Sequence, residues 1–338
     1  MENIKNFTFN ELQAKIMALG YDKYRVDQIF SWIYKKMVNS FTEIKNISKP
    51  LSVVLEKNFS LSSIKPVKTM EAKDKTKKTL FMLPDGKFIE SVIIISEKRK
   101  TLCISTQAGC KQGCMFCASG KHGFKRDLET GEILDQVLYA SREMQNTISN
   151  YVFMGMGEPL DNYDNVVKAI RIMNDRAGLD IGARKITLST CGIAKKIEKL
   201  SNENIQINLS ISLHAVTDKK RERLMPVNKK YPLKSLISAA KKYFEKTGRM
   251  ITLEYTLIKG ENDSMEDVIG LTQIAKTLKA KINLIAYMPV KGCSFEEPDK
   301  TDVQRFVRAL EKENVKVTLR ASKGKEINGA CGQLAGKS

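Results

Sequence analysis

The chain has 338 residues, of which 42% are hydrophobic and 28% charged, and carries a formal net charge of +19. These values exclude a disordered or fibrous chain and give enough length for one large domain with a smaller one beside it. No apolar run approaches a membrane span and the first residues lack the apolar stretch of a signal peptide, so the sequence predicts a cytoplasmic protein without membrane contact. Seven cysteines, without framework-like spacing, fit a reducing compartment where thiols serve metal or catalysis. The net charge favours a polyanionic partner, of which nucleic acid is the commonest. Basic residues gather at 65–78, 98–100, 121–126 and 219–230, although any one run also reads as a solvated face.

In chain order, residues 11–59 are predicted helical. Leu12, Ile16 and Leu19 repeat at turn spacing, and Val26, Ile29, Phe30, Ile33, Tyr34 and Met37 do so again. The period then becomes strand-like over 64–96, with a turn at 84–86 between 80–83 and 88–93. Beyond 101, predicted strands at 102–106, 151–154, 185–188, 205–211, 251–257, 282–286 and 315–319 alternate with amphipathic helices such as 134–144 and 233–244. Such alternation predicts parallel strands with crossover helices, an α/β barrel or partial barrel whose chemistry sits at the strand C-terminal ends. The divisions are a helical piece over 1–62, a β extension over 63–98 and a core over 99–338.

The loop after the first core strand reads Cys110-Lys-Gln-Gly-Cys114-Met-Phe-Cys117. Three thiolates can hold three irons of a 4Fe-4S cube, where a purely electron-carrying cluster normally takes four. An open iron can bind the amino and carboxylate groups of S-adenosylmethionine (SAM) and pass an electron to its sulfonium. Zinc is the alternative, since Cys114, Cys117 and His122 match the first three ligands of a zinc knuckle. The fourth position of that knuckle holds Asp127.

A glycine-flanked loop at 329–334 carries Cys331, and Cys103 lies on the first core strand. Together and in order occur the Cys-x3-Cys-x2-Cys loop, Met-Gly-Met-Gly-Glu-Pro-Leu at 154–160, Leu-Ser-Thr at 188–190, Ser-Leu-His-Ala at 212–215, Met-Pro-Val-Asn at 225–228 and Ala-Cys-Gly-Gln-Leu at 330–334. This combination resembles the RlmN/Cfr family of radical SAM RNA methyltransferases, in its adenine-C2 branch, over essentially the whole chain.

The resemblance implies an incomplete (β/α)6 radical SAM barrel with an N-terminal helical accessory domain and a β extension. It implies as substrates an adenosine in the peptidyl-transferase region of 23S rRNA and the adenosine beside the anticodon of certain tRNAs. By motif, Cys110, Cys114 and Cys117 resemble the ligands of one 4Fe-4S cluster; Gly157, Glu158, Ser189, Ser212, Leu213 and His214 resemble SAM contacts. The family usually carries Asn-Pro near 288, with the asparagine helping to hold SAM; this chain has Met288-Pro289, so Met288 takes that SAM-contact position, with a backbone group there as the replacement for the asparagine side chain. Cys331 resembles the methyl-carrying cysteine, Cys103 its resolving partner in a transient disulfide, and Glu90 the proton acceptor.

Carbon 2 of adenine is electron-poor and does not attack the methyl of SAM, whereas a thiolate does. The family route therefore uses two SAM per turnover. One methylates Cys331, and the other yields a 5′-deoxyadenosyl radical that takes hydrogen from the S-methyl group. The carbon radical adds to adenine, Glu90 takes the ring proton, and Cys103 attacks the sulfur of Cys331, leaving a disulfide for cellular thiols to reduce. An electron donor such as flavodoxin or ferredoxin is implied, and a monomer is expected. Cys191 and Cys293 read as structural. Two alternatives stay open at this point: methylation at carbon 8, against which Pro159 weighs, and a non-catalytic RNA-binding protein with a zinc knuckle.

Overall fold

The computed structural model describes residues 1–336. Helices Phe9–Ala18 (α1), Arg25–Ser31 (α2) and Lys49–Asn58 (α3) form the leading segment. Helix α1 starts at a capping box in which Thr8 Oγ accepts from the Glu11 N–H and the Glu11 carboxylate accepts from the Thr8 N–H. Helix α2 runs on into a π-helical turn, Trp32–Lys36, that ends at Met37 with φ 55. Of the residues the periodicity places inside, Leu12, Ile16, Val26, Ile29, Phe30, Ile33 and Tyr34 are buried, and Leu19 and Met37 pack partly exposed against them.

Three antiparallel strands follow, Lys65–Glu71 (β1), Lys77–Met82 (β2) and Phe88–Ser96 (β3), the last two joined through the predicted turn, where Gly86 takes φ +76. Strand Arg99–Cys103 (β4) pairs antiparallel with β3 and parallel with Asn150–Phe153 (β5). Then come Ile186–Thr190 (β6), Asn208–Ser212 (β7), Thr252–Leu257 (β8), Lys281–Ala286 (β9) and Val317–Arg320 (β10), each parallel to the one before. The ten strands thus lie in the sheet in chain order, β1 and β10 at its two edges. The crossovers carry helices Thr130–Glu143 (α4), Tyr163–Asn174 (α5), Ala194–Leu200 (α6), Asp218–Leu224 (α7), Leu233–Thr247 (α8), Met265–Leu278 (α9) and Lys300–Lys312 (α10). Parallel strands covered by helices are buried on both faces, which is why Leu253, Tyr255 and Leu257 on one face of β8 and Glu254 and Thr256 on the other are all buried. The architecture is the incomplete α/β barrel with leading helices and a β extension.

Element boundaries shift where side chains outside the periodic pattern intervene. Helix α4 begins at Thr130 because Glu129 and Glu132 form a capping box ahead of the apolar repeat. The first core strand stops at Cys103, short of Thr106, because the Gln136 side chain captures both the N–H and the carbonyl of Ser105, at 2.9 Å each. That diversion turns the chain out of the sheet into the cysteine loop. The leading segment is fixed to α4 by a buried ion pair between Lys5 and Asp135, 2.9 Å.

Candidate active site

The cysteine loop rises from the C-terminal end of β4 and is pinned by its own backbone. The Met115 N–H donates to the Leu224 carbonyl at the end of α7, and the Cys117 N–H to the Cys114 carbonyl. Cys110, Cys114 and Cys117 all line one cleft of about 960 Å³, part of it open to solvent. Burial pushes all three thiols up, Cys110 to about 12, so they keep their protons until a metal displaces them. Among the described residues, no three His, Cys, Asp or Glu side chains converge on a point where one ion could be held. The three thiols share a cleft, as a polynuclear cluster requires.

Behind Cys114 lies a group that motif reading does not assign. Arg221 on α7 is wholly buried, and its guanidinium donates to the carbonyls of Leu213, Cys191 and Ser212 and to Asn228 Oδ1. All four acceptors are neutral, so a full positive charge faces the cysteines from within the protein. A cluster on three thiolates is anionic, and this cation suits it. Asn228 belongs to the Met-Pro-Val-Asn motif, whose role becomes visible here: it holds the arginine. Arg221 and Lys78 thus fall inside two runs that read as basic surface, 219–230 and 65–78, yet both side chains are buried.

The opposite wall follows from two glycines. A Cβ at Gly155 would come within 2.7 Å of the Ile104 carbonyl, and Gly157, at φ +98, lies against Gln107 so closely that a Cβ would stand 2.5 Å from its side chain. This close approach lets Gln107 Oε1 accept from the Glu158 N–H, 2.9 Å. The Glu158 carboxylate, buried and with its pKa raised by desolvation, accepts from the N–H groups of Cys191 (2.7 Å) and Leu160 (3.0 Å). Ser189 and Thr190 at the end of β6, Ser212 at the end of β7 and His214 just beyond complete a polar wall suited to the amino, carboxylate and ribose groups of SAM. His214, at φ 53, accepts from the Thr256 N–H through Nδ1, so Nε2 carries its proton. Burial and Arg221 pull its pKa down to about 3, and its ring meets Phe116 of the cysteine loop edge-on at 4.9 Å.

Cys331 and Gly332 reach the same cleft from the loop 324–336. Cys331 is exposed at the mouth, while the atoms packed about its sulfur still push the thiol up to about 11, with Arg320 pulling the other way. Cys103, buried at the end of β4, is pushed up to about 12 by burial and by the charge of Cys331, so the two thiols lie within each other's field. Glu90, Cys103, Leu213 and Met288 do not line the cleft. Leu213 acts through its backbone, with its N–H on the Glu254 carbonyl and its own carbonyl on Arg221. Met288 is buried, and its neighbour Tyr287 faces the cleft instead. Cys191, expected to be structural, lines the cleft while its backbone holds Glu158.

Residues 104–272 match the radical SAM superfamily, and residues 2–61 match the ribosomal RNA large subunit methyltransferase N-terminal domain. A probable dual-specificity RNA methyltransferase RlmN of Clostridium novyi is 45% identical over 99% of this chain and 98% of its own length. That of Pseudothermotoga lettingae is 45% identical over 98% of this chain and 97% of its own. A radical SAM methyltransferase from Sphaerobacter thermophilus superposes with a TM-score of 0.97 at 37% identity, each chain covered completely. The hydrogenase maturase HydG shares the fold, with a TM-score of 0.51 at 14% identity. The radical SAM fold implies a 4Fe-4S cluster and SAM, and the zinc-knuckle alternative falls with it. Among the described residues no helix is long and apolar enough to cross a membrane. With the motifs, the cleft and full-length likeness in agreement, the chain belongs to the RlmN family of dual-specificity RNA methyltransferases within the radical SAM superfamily.

Proposed function

We propose that this SAM-dependent RNA methyltransferase modifies carbon 2 of an adenosine in the peptidyl-transferase region of 23S rRNA and the adenosine beside the anticodon of certain tRNAs. The observation that carries the reading is the meeting of three groups in one cleft: the cysteine triad, the polar wall around Glu158 and His214, and Cys331. Carbon-2 specificity is that of the family.

Cys110, Cys114 and Cys117 would hold the cluster, with Arg221 balancing its charge. Gly157, Glu158, Ser189, Ser212 and His214 would seat SAM, Leu213 serving through its backbone and Met288 not through its side chain. When bound, the cluster and SAM supply a hydrogen-abstracting carbon radical. Cys331, at the cleft mouth, takes a methyl group by nucleophilic attack and carries it to the base, which fits a thiol both reachable and loop-borne. Glu90 takes the proton lost from carbon 2. Cys103, within the field of Cys331, attacks its sulfur as a thiolate; the disulfide forms as the carbon-sulfur bond breaks, the bond's electron pair passing to the methylene carbon, which takes up a proton to become the methyl group.

Two SAM are consumed per turnover, one at Cys331 and one as radical source. A flavodoxin- or ferredoxin-like donor supplies the electron, cellular thiols restore Cys103 and Cys331, and the enzyme works in the cytoplasm as a monomer. The chain divides into a helical accessory domain over 1–62, a β extension over 63–98 that contributes Glu90, and a radical SAM core over 99–338 that carries the cysteines. Support for RNA docking comes from the net charge of +19, so RNA affinity should fall with salt by a log-log slope of about 0.7 to 0.9 per phosphate contact.

The deciding experiment is anaerobic reconstitution with iron and sulfide, followed by nucleoside mass spectrometry of rRNA and tRNA incubated with SAM and a strong reductant. The expected product is 2-methyladenosine. Product at carbon 8 would move the enzyme to the other branch, and unmodified RNA alongside cleaved SAM would overturn the substrate.

A further inference from the structure

Lys78 and Glu90 form an ion pair of 2.8 Å with both residues almost inaccessible, at 5% and 3%. Lys78 is on β2 and Glu90 on β3, where Leu80 pairs with Glu90 and Lys78 with Val92. The two charges therefore sit on one face, diagonally across the ladder. Burying a charged pair costs desolvation that its mutual attraction seldom exceeds, so such a pair is weak evidence of a purely stabilising role.

Its other bonds show what it grips. The Lys78 ammonium also donates to the Asn328 carbonyl, 3.3 Å. The second oxygen of Glu90 accepts from the N–H groups of Ala335 (2.7 Å) and Gly336 (3.0 Å). Position 336 suits glycine, since at φ +60 a Cβ there would lie 2.6 Å from the Phe88 carbonyl. Asn328 precedes Cys331 in the chain, and Ala335 and Gly336 follow it. One buried ion pair from the β2–β3 hairpin thus holds both stems of the loop that carries Cys331.

We infer that Lys78 is a positioning residue for the reaction: together with Glu90 it clasps the Cys331 loop at both stems and keeps it over the cleft. With the clasp shut, one Glu90 oxygen accepts from Lys78 and the other from two backbone amides, so the carboxylate is committed to holding the loop. That Lys78 serves the reaction rests on the role proposed above for Cys331; the clasp itself does not.

The test uses hydrogen-exchange mass spectrometry on the full-length reconstituted enzyme. Lys78→Met should speed exchange around Asn328 and Glu90→Gln around Ala335 and Gly336, each by at least about tenfold, the lower end for one charge-assisted hydrogen bond. The double variant Lys78→Met/Glu90→Gln should release both stems, while peptides from 104–117 exchange as in the wild type. Lys78→Arg, which keeps the charge, should restore protection and turnover, and Lys78→Met should lower kcat with KM for SAM unchanged. Wild-type protection at both stems in the double variant would overturn the clasp; should that variant not fold, unchanged protection around Ala335 and Gly336 in Glu90→Gln alone would do so. A wild-type enzyme whose Cys331 never gains a methyl group would instead overturn the functional reading and leave the clasp standing.

Discussion

Two cysteine-bearing loops meet at the cleft and are built on different principles. The loop of Cys110, Cys114 and Cys117 follows directly from a core strand and is held by backbone bonds to adjoining elements, with the buried Arg221 behind it. The loop of Cys331 is held mainly by groups that reach across from elsewhere: Lys78 and Glu90 from the hairpin, and Ser119 Oγ, which donates to the Leu334 carbonyl at 2.7 Å. Its Gly332 carbonyl accepts from the Ala118 N–H next to Cys117. The difference matches the two tasks proposed for these loops. A metal site needs ligands fixed before the metal arrives, whereas a carrier must leave one partner to reach the next.

The sharpest way to break this contrast is to remove one thiol from each loop. Cys114→Ala should lose the visible absorbance of the iron-sulfur centre together with all RNA methylation. Cys331→Ala should lose methylation just as completely and keep the absorbance and reductive SAM cleavage. If Cys331→Ala still methylates RNA, the carrier assignment is wrong. Cys103→Ala should take the reaction further and then stop, leaving RNA attached to Cys331 as a nuclease-sensitive band of low mobility. Multiple turnovers at the normal rate would take Cys103 out of the resolving role.

A smaller effect tests how rigid the fixed loop is. Arg221→Met would strip the Cys191 and Ser212 carbonyls and the Asn228 amide oxygen of this donor, while the Leu213 carbonyl keeps the Ala215 N–H. With about 1 to 3 kcal/mol for each buried group left unpaired, the loss should reach at least about 3 kcal/mol in urea unfolding. Lys at 221 should recover only part of it, because an ammonium cannot span acceptors that a planar guanidinium reaches at once. A variant as stable as the wild type would mean that the cation is not part of what fixes the triad.

The fixed half of the site was far more legible in the sequence than the movable half. The triad, Gly157-Glu158 and Ser212-Leu213-His214 are runs of neighbouring residues, and the strand-helix alternation places each on the same rim. Arg221 and Lys78 hide for a definite reason: each sits in a basic run whose ordinary reading is solvated surface. Each also has a partner far off in the chain, Arg221 reaching back to Cys191 and Lys78 forward to Asn328. Glu90 was readable only by resemblance, since alternation of apolar and polar residues on a strand equally describes an exposed carboxylate. The early end of β4 was hidden too, because it depends on Gln136, which captures Ser105 from a different element.

The weakest perturbation acts through pH and again falls on the fixed wall. His214 keeps its proton-free Nδ1 on the Thr256 N–H, and burial holds its folded pKa near 3, against about 6.5 in an unfolded chain. Between those values the unfolded chain binds a proton that the folded one refuses, so stability falls as pH drops below about 6.5 and this loss ends near 3. The slope approaches 1.4 kcal/mol per pH unit, or about 2 kcal/mol between pH 7 and pH 5. His214→Gln retains an acceptor for Thr256 but cannot titrate, so its unfolding midpoint in urea should change less over that range than the wild type's. Equal losses in both proteins would show that some other group governs the acid sensitivity of this wall. A flatter profile in the variant would show that burial of His214 as a neutral imidazole is the source of that acid sensitivity.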